Sequence, residues 1–412
     1  MLIDDCRLCG NRELLPILDL GSQAMSGVFA PTRDTEIPAA PLELVKCGPD
    51  GCGLVQLRHT ADFELMYEAV YGYRSSIRPF MVNHLHQKVA TITELAAPAA
   101  GDLVLDIGSN DATLLKGYPV NGPTLVGIDP NGEQFREDYP DHVDLIVDFF
   151  SKKAFVERFG SRRAKAVTSI AMFYDLPRPQ EFVQDVYDIL SDDGVWMLEH
   201  SYLPSMLATN GYDNICHEHL EFYAFSQIEW MASRAGFTVI RAELNPVYGG
   251  SLCTILAKNP DRYRVDRDGI GALRASEAEL GLDTMAPFEA FAARVRSHPE
   301  RLREFLDASR QAGKLTLGYG ASTKGNVILQ HCGITPADLP CIGEVNTDKH
   351  GWFTPGTRIP IVSEEEAKAQ RPDQLLVLPW MHRAGFEERE ADFVAAGGSL
   401  VFPLPDLDTV RR

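Results

Sequence analysis

The chain has 412 residues, 45% hydrophobic and 24% charged, with a net charge of −19. Two or three globular domains fit that length. So acidic a balance without a basic cluster excludes a nucleic-acid binder, whose affinity rests on Lys and Arg meeting phosphates. No apolar run approaches the ~20 residues of a membrane span, and Met1-Leu2-Ile3-Asp4-Asp5 has no leader character. A cytoplasmic protein with no membrane partner is the expectation.

The first sixty residues are rich in Gly and Pro, with short strands expected at Leu42–Lys46 and Leu54–Leu57. Cys6-x2-Cys9 and Cys47-x4-Cys52 offer four thiolates in two knuckles, as a tetrahedral Zn site requires. No open coordination position is implied, so the expected Zn2+ is structural. The pattern turns helical from Phe63 to about Leu95.

Strands and helices then alternate. Leu103–Ile107, Thr124–Asp129, Val143–Val147, Ala166–Ile170 and Gly194–Glu199 read as strands of a doubly wound α/β domain, and two more near Thr238 and Ser251 should close its edge. Asp106-Ile107-Gly108-Ser109-Asn110-Asp111 follows the first strand, where Gly108 lets the backbone turn under a ligand and Asn110 or Asp111 could cap a following helix. A dinucleotide fold wants three glycines there. With an acid ending the strand and two glycines missing, the loop suits S-adenosylmethionine, zwitterionic at one end and positive at sulfur. Asp129 ends the second strand, where a carboxylate can accept both ribose hydroxyls. Asp148 and Phe149 could hold the adenine.

Residues 214–225 read NICHEHLEFYAF. The zinc-protease motif wants histidines four apart on a helix, and His217 and His219 are two apart. On an extended segment these two would share a face while Glu218 points away. Proton transfer by an imidazole near its ordinary pKa is the reading favoured here, with Cys216 beside it.

A helical stretch from Ile270 to Ala312 leads to a second α/β unit. There Gly318-Tyr319-Gly320-Ala321-Ser322-Thr323-Lys324-Gly325 follows a strand and opens a helix, a place for a phosphate or diphosphate. Glu344 ends the next strand, where an acid can take a ribose, and Asn346 and Lys349 continue a polar loop. Two nucleoside-type halves imply two ligands, a methyl donor and a nucleotide-linked acceptor.

Together these motifs resemble the three-domain, S-adenosylmethionine-dependent sugar C-methyltransferases of deoxysugar biosynthesis. The likeness runs from Cys6-Arg7-Leu8-Cys9-Gly10 through Tyr71-Gly72-Tyr73-Arg74-Ser75-Ser76, Asp106–Asp111 and His217-Glu218-His219 to Gly318-Tyr319-Gly320-Ala321 and Pro355-Gly356. It implies an α/β chain of three parts: a small zinc-binding domain over 1–62, a class I methyltransferase domain over 63–265 with a helical lead-in to residue 100, and a Rossmann-like nucleotide-sugar-binding domain over 266–412. The family methylates nucleotide-activated 4-keto-6-deoxy sugars, usually at C3, by base-generated enolate attack. By that resemblance His219 is the base, Glu218 orients or tunes the site, and Tyr71 or Tyr73 meets the sugar. The C-terminal half around Tyr319, Lys324, Glu344, Asn346 and Lys349 would hold the nucleotide, whether GDP, dTDP or CDP. Two departures stand out: Cys216 replaces a tyrosine of better-known members, and Ala171-Met172-Phe173-Tyr174-Asp175 lacks their histidine. The second reading is a keto-sugar epimerase or isomerase using the same base, which would have no need of an adenosyl pocket. Methyl transfer to oxygen or nitrogen and a zinc-ribbon binding module fit less well. Oligomeric state is open.

Overall fold

The computed structural model describes residues 1–61 and 73–412. Its strands run β1 (Leu14–Ala24), β2 (Ala39–Cys47), β3 (Val55–Leu57), β4 (Leu103–Ile107), β5 (Thr124–Ile128), β6 (Val143–Ile146), β7 (Ala164–Ile170), β8 (Leu190–Ser201) and β9 (Glu221–Phe222). They continue with β10 (Thr238–Asn245), β11 (Ser251–Ala257), β12 (Thr316–Tyr319), β13 (Ile342–Glu344), β14 (Ile361–Ser363), β15 (Gln374–Val377), β16 (Ser399–Phe402) and β17 (Asp408–Val410).

These strands form three sheets, of orders β1-β2-β3-β9, β10-β11-β8-β7-β4-β5-β6 and β14-β13-β12-β15-β16-β17. In the central sheet β6, β5, β4, β7 and β8 are parallel, and β11 runs antiparallel to β8. That order is the class I methyltransferase sheet. The chain goes one way from β4 to β5 and the other way to β7, so a crevice opens at the carboxyl end of β4, where such folds bind ligands. Leu103-Val104-Leu105-Asp106-Ile107 is buried throughout, as a central parallel strand covered on both faces must be.

The helix Pro79–Ala96 buries Met81, Leu85, Val89, Ile92 and Ala96, spaced three or four apart on one face. The Met, Leu, Val and Ile side chains among them contribute roughly 1.5–3 kcal/mol each when fully buried. Between them His84 and Lys88 reach Glu199 of β8, at 2.5 and 2.6 Å. The expected helix over 270–312 is two, Arg267–Leu280 and Ala286–Gln311. The break falls at Gly281, whose φ of +66° ends the first.

Two features depart from the sequence reading. No long helix follows β4: Asn110 and Ala112 adopt φ of 49° and 59°, which a right-handed helix does not admit, and only the short turn Leu115–Gly117 forms. And β9, from the middle of the chain, is the fourth strand of the N-terminal sheet, pairing Phe222 with Val55 and Glu221 with Gln56.

Candidate active site

The N-terminal sheet carries four sulfurs, of Cys6, Cys9, Cys47 and Cys52, all within 4.8 Å of one another. Cys6 and Cys52 Sγ lie 3.6 Å apart, Cys9 and Cys47 Sγ 3.5 Å. Disulfide sulfurs sit near ~2.05 Å, whereas four thiolates ~2.3 Å from a tetrahedral Zn2+ are about 3.7 Å apart. The residues therefore fit structural zinc. A β-carbon at Gly51 would strike Cys47 Sγ, which explains the glycine before the fourth ligand.

A cavity of ≈ 520 Å³ lies at the carboxyl ends of β4, β5 and β7. Asp106, Gly108, Asn110, Asp129, Phe149 and Tyr73 all line it. Asp106 Oδ1 accepts from Thr168 Oγ1 at 2.5 Å, and burial raises its carboxyl to about 7, helped by the charge of Asp129. Asp129 accepts from Asn110 N at 2.8 Å and Asn131 N at 2.7 Å, so it clasps the loop after β4. Asn110 in turn accepts from Ser75 N and donates to Tyr73 O, pinning the segment beyond Tyr73 over the cavity. Asp148 is not part of the lining; its Oδ1 accepts from Phe149 N at an exposed position. The volume, apolar walls and the carboxylates of Asp106 and Asp129 fit a cationic adenosyl ligand. Tyr71 lies outside the described residues.

Cys216 to His219 form a turn, closed by His219 N donating to Cys216 O at 3.1 Å. The histidines therefore do not share a face, contrary to the extended-segment expectation. His217 Nε2 meets Ala40 O at 3.0 Å, tying it to the N-terminal sheet. His219 Nδ1 meets Asn214 O at 2.8 Å. A carbonyl only accepts, so Nδ1 carries the hydrogen and Nε2 keeps a lone pair. Burial, with the charge of Lys324, lowers the imidazole to about 3, well below the ordinary value expected from sequence. The ring is neutral before reaction. Burial raises Glu218 to about 7, and its carboxylate fills the space beside Gly27, where a β-carbon would strike Oε1. Cys216 is fully buried and held as a thiol by burial and the charges of Glu218 and Asp175.

The short turn Phe173–Asp175 is a shared wall. Asp175 lines the cavity beyond β4, while the Tyr174 ring meets the His219 ring edge-on at 4.4 Å. Burial, then the charges of Glu218 and Glu221, push Asp175 well above the carboxylate range, and its Oδ1 has no partner among the described residues. In the sequence Asp175 stands only within the stretch that departs from the resemblance. Its signal, an acid just past the fourth parallel strand, was available.

In the C-terminal unit Glu344 accepts from Ala321 N at 2.6 Å and Asn346 N at 2.8 Å, the same clasp as that of Asp129. Ser322 caps the helix Thr323–His331 by accepting from Gly325 N. Lys349 donates to Ala321 O at 2.9 Å and lies 4.3 Å from the Phe29 ring centre. Tyr319 faces away from these loops: it is fully buried and donates to Glu390 at 2.6 Å, so it serves the core rather than a ligand. Lys324 lies instead against the His219 loop, over the Tyr248 ring at 5.9 Å, and its charge acts on Asp213, Cys216 and His219.

Family models match the chain in three places: a zinc binding domain at residues 6–67, a methyltransferase domain at 81–242 and a C-methyltransferase C-terminal domain at 246–405. The C-methyltransferase NovU of Streptomyces niveus is 28% identical over 408 residues, 98% of this chain and 96% of that protein. Among solved structures, the methyltransferase CcbJ of Streptomyces caelestis matches 45% of this chain and 98% of its own, at 12% identity and a TM-score of 0.34. The glycopeptide N-methyltransferase MtfA, solved with S-adenosyl-L-methionine, matches 42% of this chain and 92% of its own, at 14% identity and a TM-score of 0.32. A zinc binding domain, a methyltransferase domain and a C-methyltransferase C-terminal domain thus follow one another in that order, the arrangement of an S-adenosylmethionine-dependent C-methyltransferase.

Proposed function

We propose that the chain methylates the carbon beside the ketone, C3, of a nucleotide-linked 4-keto-6-deoxy sugar. The observation that carries this reading is the wall Phe173–Asp175, which sets a lone-pair imidazole directly behind the donor cavity. A ketone acidifies the adjacent C–H, and a carbon nucleophile needs a base to release it. His219 Nε2 takes that proton, while the Nδ1 hydrogen bond to Asn214 O fixes the ring and favours the imidazolium as it forms. Bound S-adenosylmethionine supplies an electrophilic methyl at sulfur. Asp106 and Asp129 hold its cationic and ribose portions, and Phe149, at the cavity rim, covers its base. Tyr73 and Tyr248, their hydroxyls 2.5 Å apart, flank the sugar at the cavity mouth. Glu218, near its titration point, adjusts the charge around the base. The loops after β12 and β13, with Asn346, receive the nucleotide diphosphate.

The test is mass spectrometry of a panel of nucleotide-linked 4-keto-6-deoxy sugars incubated with enzyme and S-adenosylmethionine in deuterated water. A product one methylene heavier, with S-adenosylhomocysteine formed, is the expected result. Deuterium uptake beside the ketone without methyl gain would favour the epimerase reading instead.

A further inference from the structure

The loop that carries the base is seated on the C-terminal domain. Its turn Tyr212–Asn214 packs on the helix Thr323–His331. Trp380 Nε1 donates to Asp213 Oδ2 at 2.8 Å, and Tyr212 Oη lies 2.8 Å from His298 Nδ1. The start of that helix is closely packed: a β-carbon at Gly325 would lie 2.8 Å from Leu378 Cβ, and Ser322 closes the cap. Lys324, the second residue of the helix, is thus held at the seat. It faces Asp213 and Cys216 on one side and the ring of Tyr248, a wall of the donor cavity, on the other.

Burial disfavours the Lys324 ammonium, and two facts leave it without compensation. Among the described residues no carboxylate closes an ion pair with Lys324 within 4.0 Å. Asp213, the acid whose charge acts on it, is fully buried, pushed up by that burial, and already commits Oδ2 to Trp380. A desolvated ammonium without a counter-ion, beside a base and a donor cavity, is placed for charge that arises only during reaction. A resident diphosphate would call for several cations, and Arg78, exposed and acting on Lys349 and His382, offers one on the open side.

We propose that Lys324 is a catalytic residue that binds the ketone oxygen and stabilises the oxyanion of the enolate, an assignment that rests on the keto-sugar reading above. The C–H pair becomes the C=C bond as the proton passes to His219 Nε2. The carbonyl π pair moves to oxygen, where the Lys324 ammonium donates to it. When the C=O re-forms, the C=C pair makes the new C–methyl bond and the S–CH3 pair returns to sulfur, leaving the neutral thioether. After burial, the same ammonium adds to the cost of charging His219: one cation resists a second until the oxyanion arrives between them.

The experiment compares wild type with Lys324→Met and Lys324→Arg as full chains, following deuterium exchange beside the ketone without methyl donor, then turnover with it. Lys324→Met is expected to lose a hundredfold or more in both exchange and kcat, with KM for the nucleotide sugar within threefold and donor binding by calorimetry unchanged. Lys324→Arg should recover part of the rate. A tenfold rise in KM with exchange and kcat retained would make Lys324 a substrate anchor and overturn the proposal. Histidine NMR supplies a readout that needs no substrate: the pH at which His219 gains its proton should move up in Lys324→Met, and an unmoved value overturns the assignment. Wild-type enzyme that leaves every 4-keto sugar untouched would count against the proposed function, while the NMR result would still decide whether the cation lies at the base.

Discussion

The central and C-terminal units share one device and use it differently. In each, an acid ending the second strand accepts two backbone N–H groups, one from the first loop and one two residues on: Asp129 from Asn110 and Asn131, Glu344 from Ala321 and Asn346. In the central unit, positive φ at Asn110 and Ala112 turns the loop away from a helix, and a cavity of ≈ 520 Å³ stays open. In the C-terminal unit the loop enters a capped helix whose flank is covered by the N-terminal domain. Asn326 Nδ2 donates to Ser26 O, Gln330 exchanges two hydrogen bonds with Ala24, and Phe353 bridges to Ala30. The lesson is that a strand-end acid reports a clasped loop, and what lies beyond the clasp decides what the loop can receive.

The largest break is expected where the two units meet. His219→Ala should lower methyl transfer by ~10²–10⁴-fold, the usual share of a general base, with donor affinity by calorimetry unchanged; near-normal turnover would remove His219 as base. The clasps come next. Asp129→Ala loses two charge-assisted hydrogen bonds of roughly 1.5–3 kcal/mol each and should weaken donor binding by about ten- to a hundredfold. Glu344→Ala should leave donor affinity alone and lower the melting temperature instead, and equal effects on donor binding would erase the distinction. A smaller effect follows from pH. Asp106, raised to about 7 by burial, must shed its proton to meet a cationic donor. Donor affinity should therefore be flat above pH 7 and fall below it, by up to about tenfold per unit; Asp106→Asn should flatten the curve, and a slope of opposite sign would exclude the carboxylate. The smallest is Asn326→Ala, expected to cost about 1 kcal/mol of stability in chemical denaturation, with kcat retained.

Strands with continuous apolar runs were legible beforehand. Leu103–Ile107 and the segment ending at Asp129 stand where expected, because a strand covered on both faces has no polar alternation to blur it. The cysteine pairs were equally plain, since few chemistries need two such knuckles. The pairing of β9 was not legible: two residues carry no period, and their partners lie more than 160 positions earlier. The turn at Cys216–His219 was misread for a similar reason, because alternation of two histidines looks the same on a strand and around a turn. Tyr319 looked like part of a ligand loop by position, but a strand residue's side depends on register, and register placed its hydroxyl on Glu390.

The strand after the base has a consequence for how such a protein can be built and inherited. Glu221 and Phe222, two residues beyond His219, complete the zinc sheet, and Arg7, between the first two cysteines, lies 3.8 Å from Glu221. Removing the first domain would take away that counter-charge and leave β9, two residues past His219, without its partner strand. A recombination breakpoint near residue 62 would then divide an active site rather than two modules. The cysteine knuckles and residues 214–223 are expected to travel together, and chimeras that exchange the N-terminal domain should exchange that segment with it.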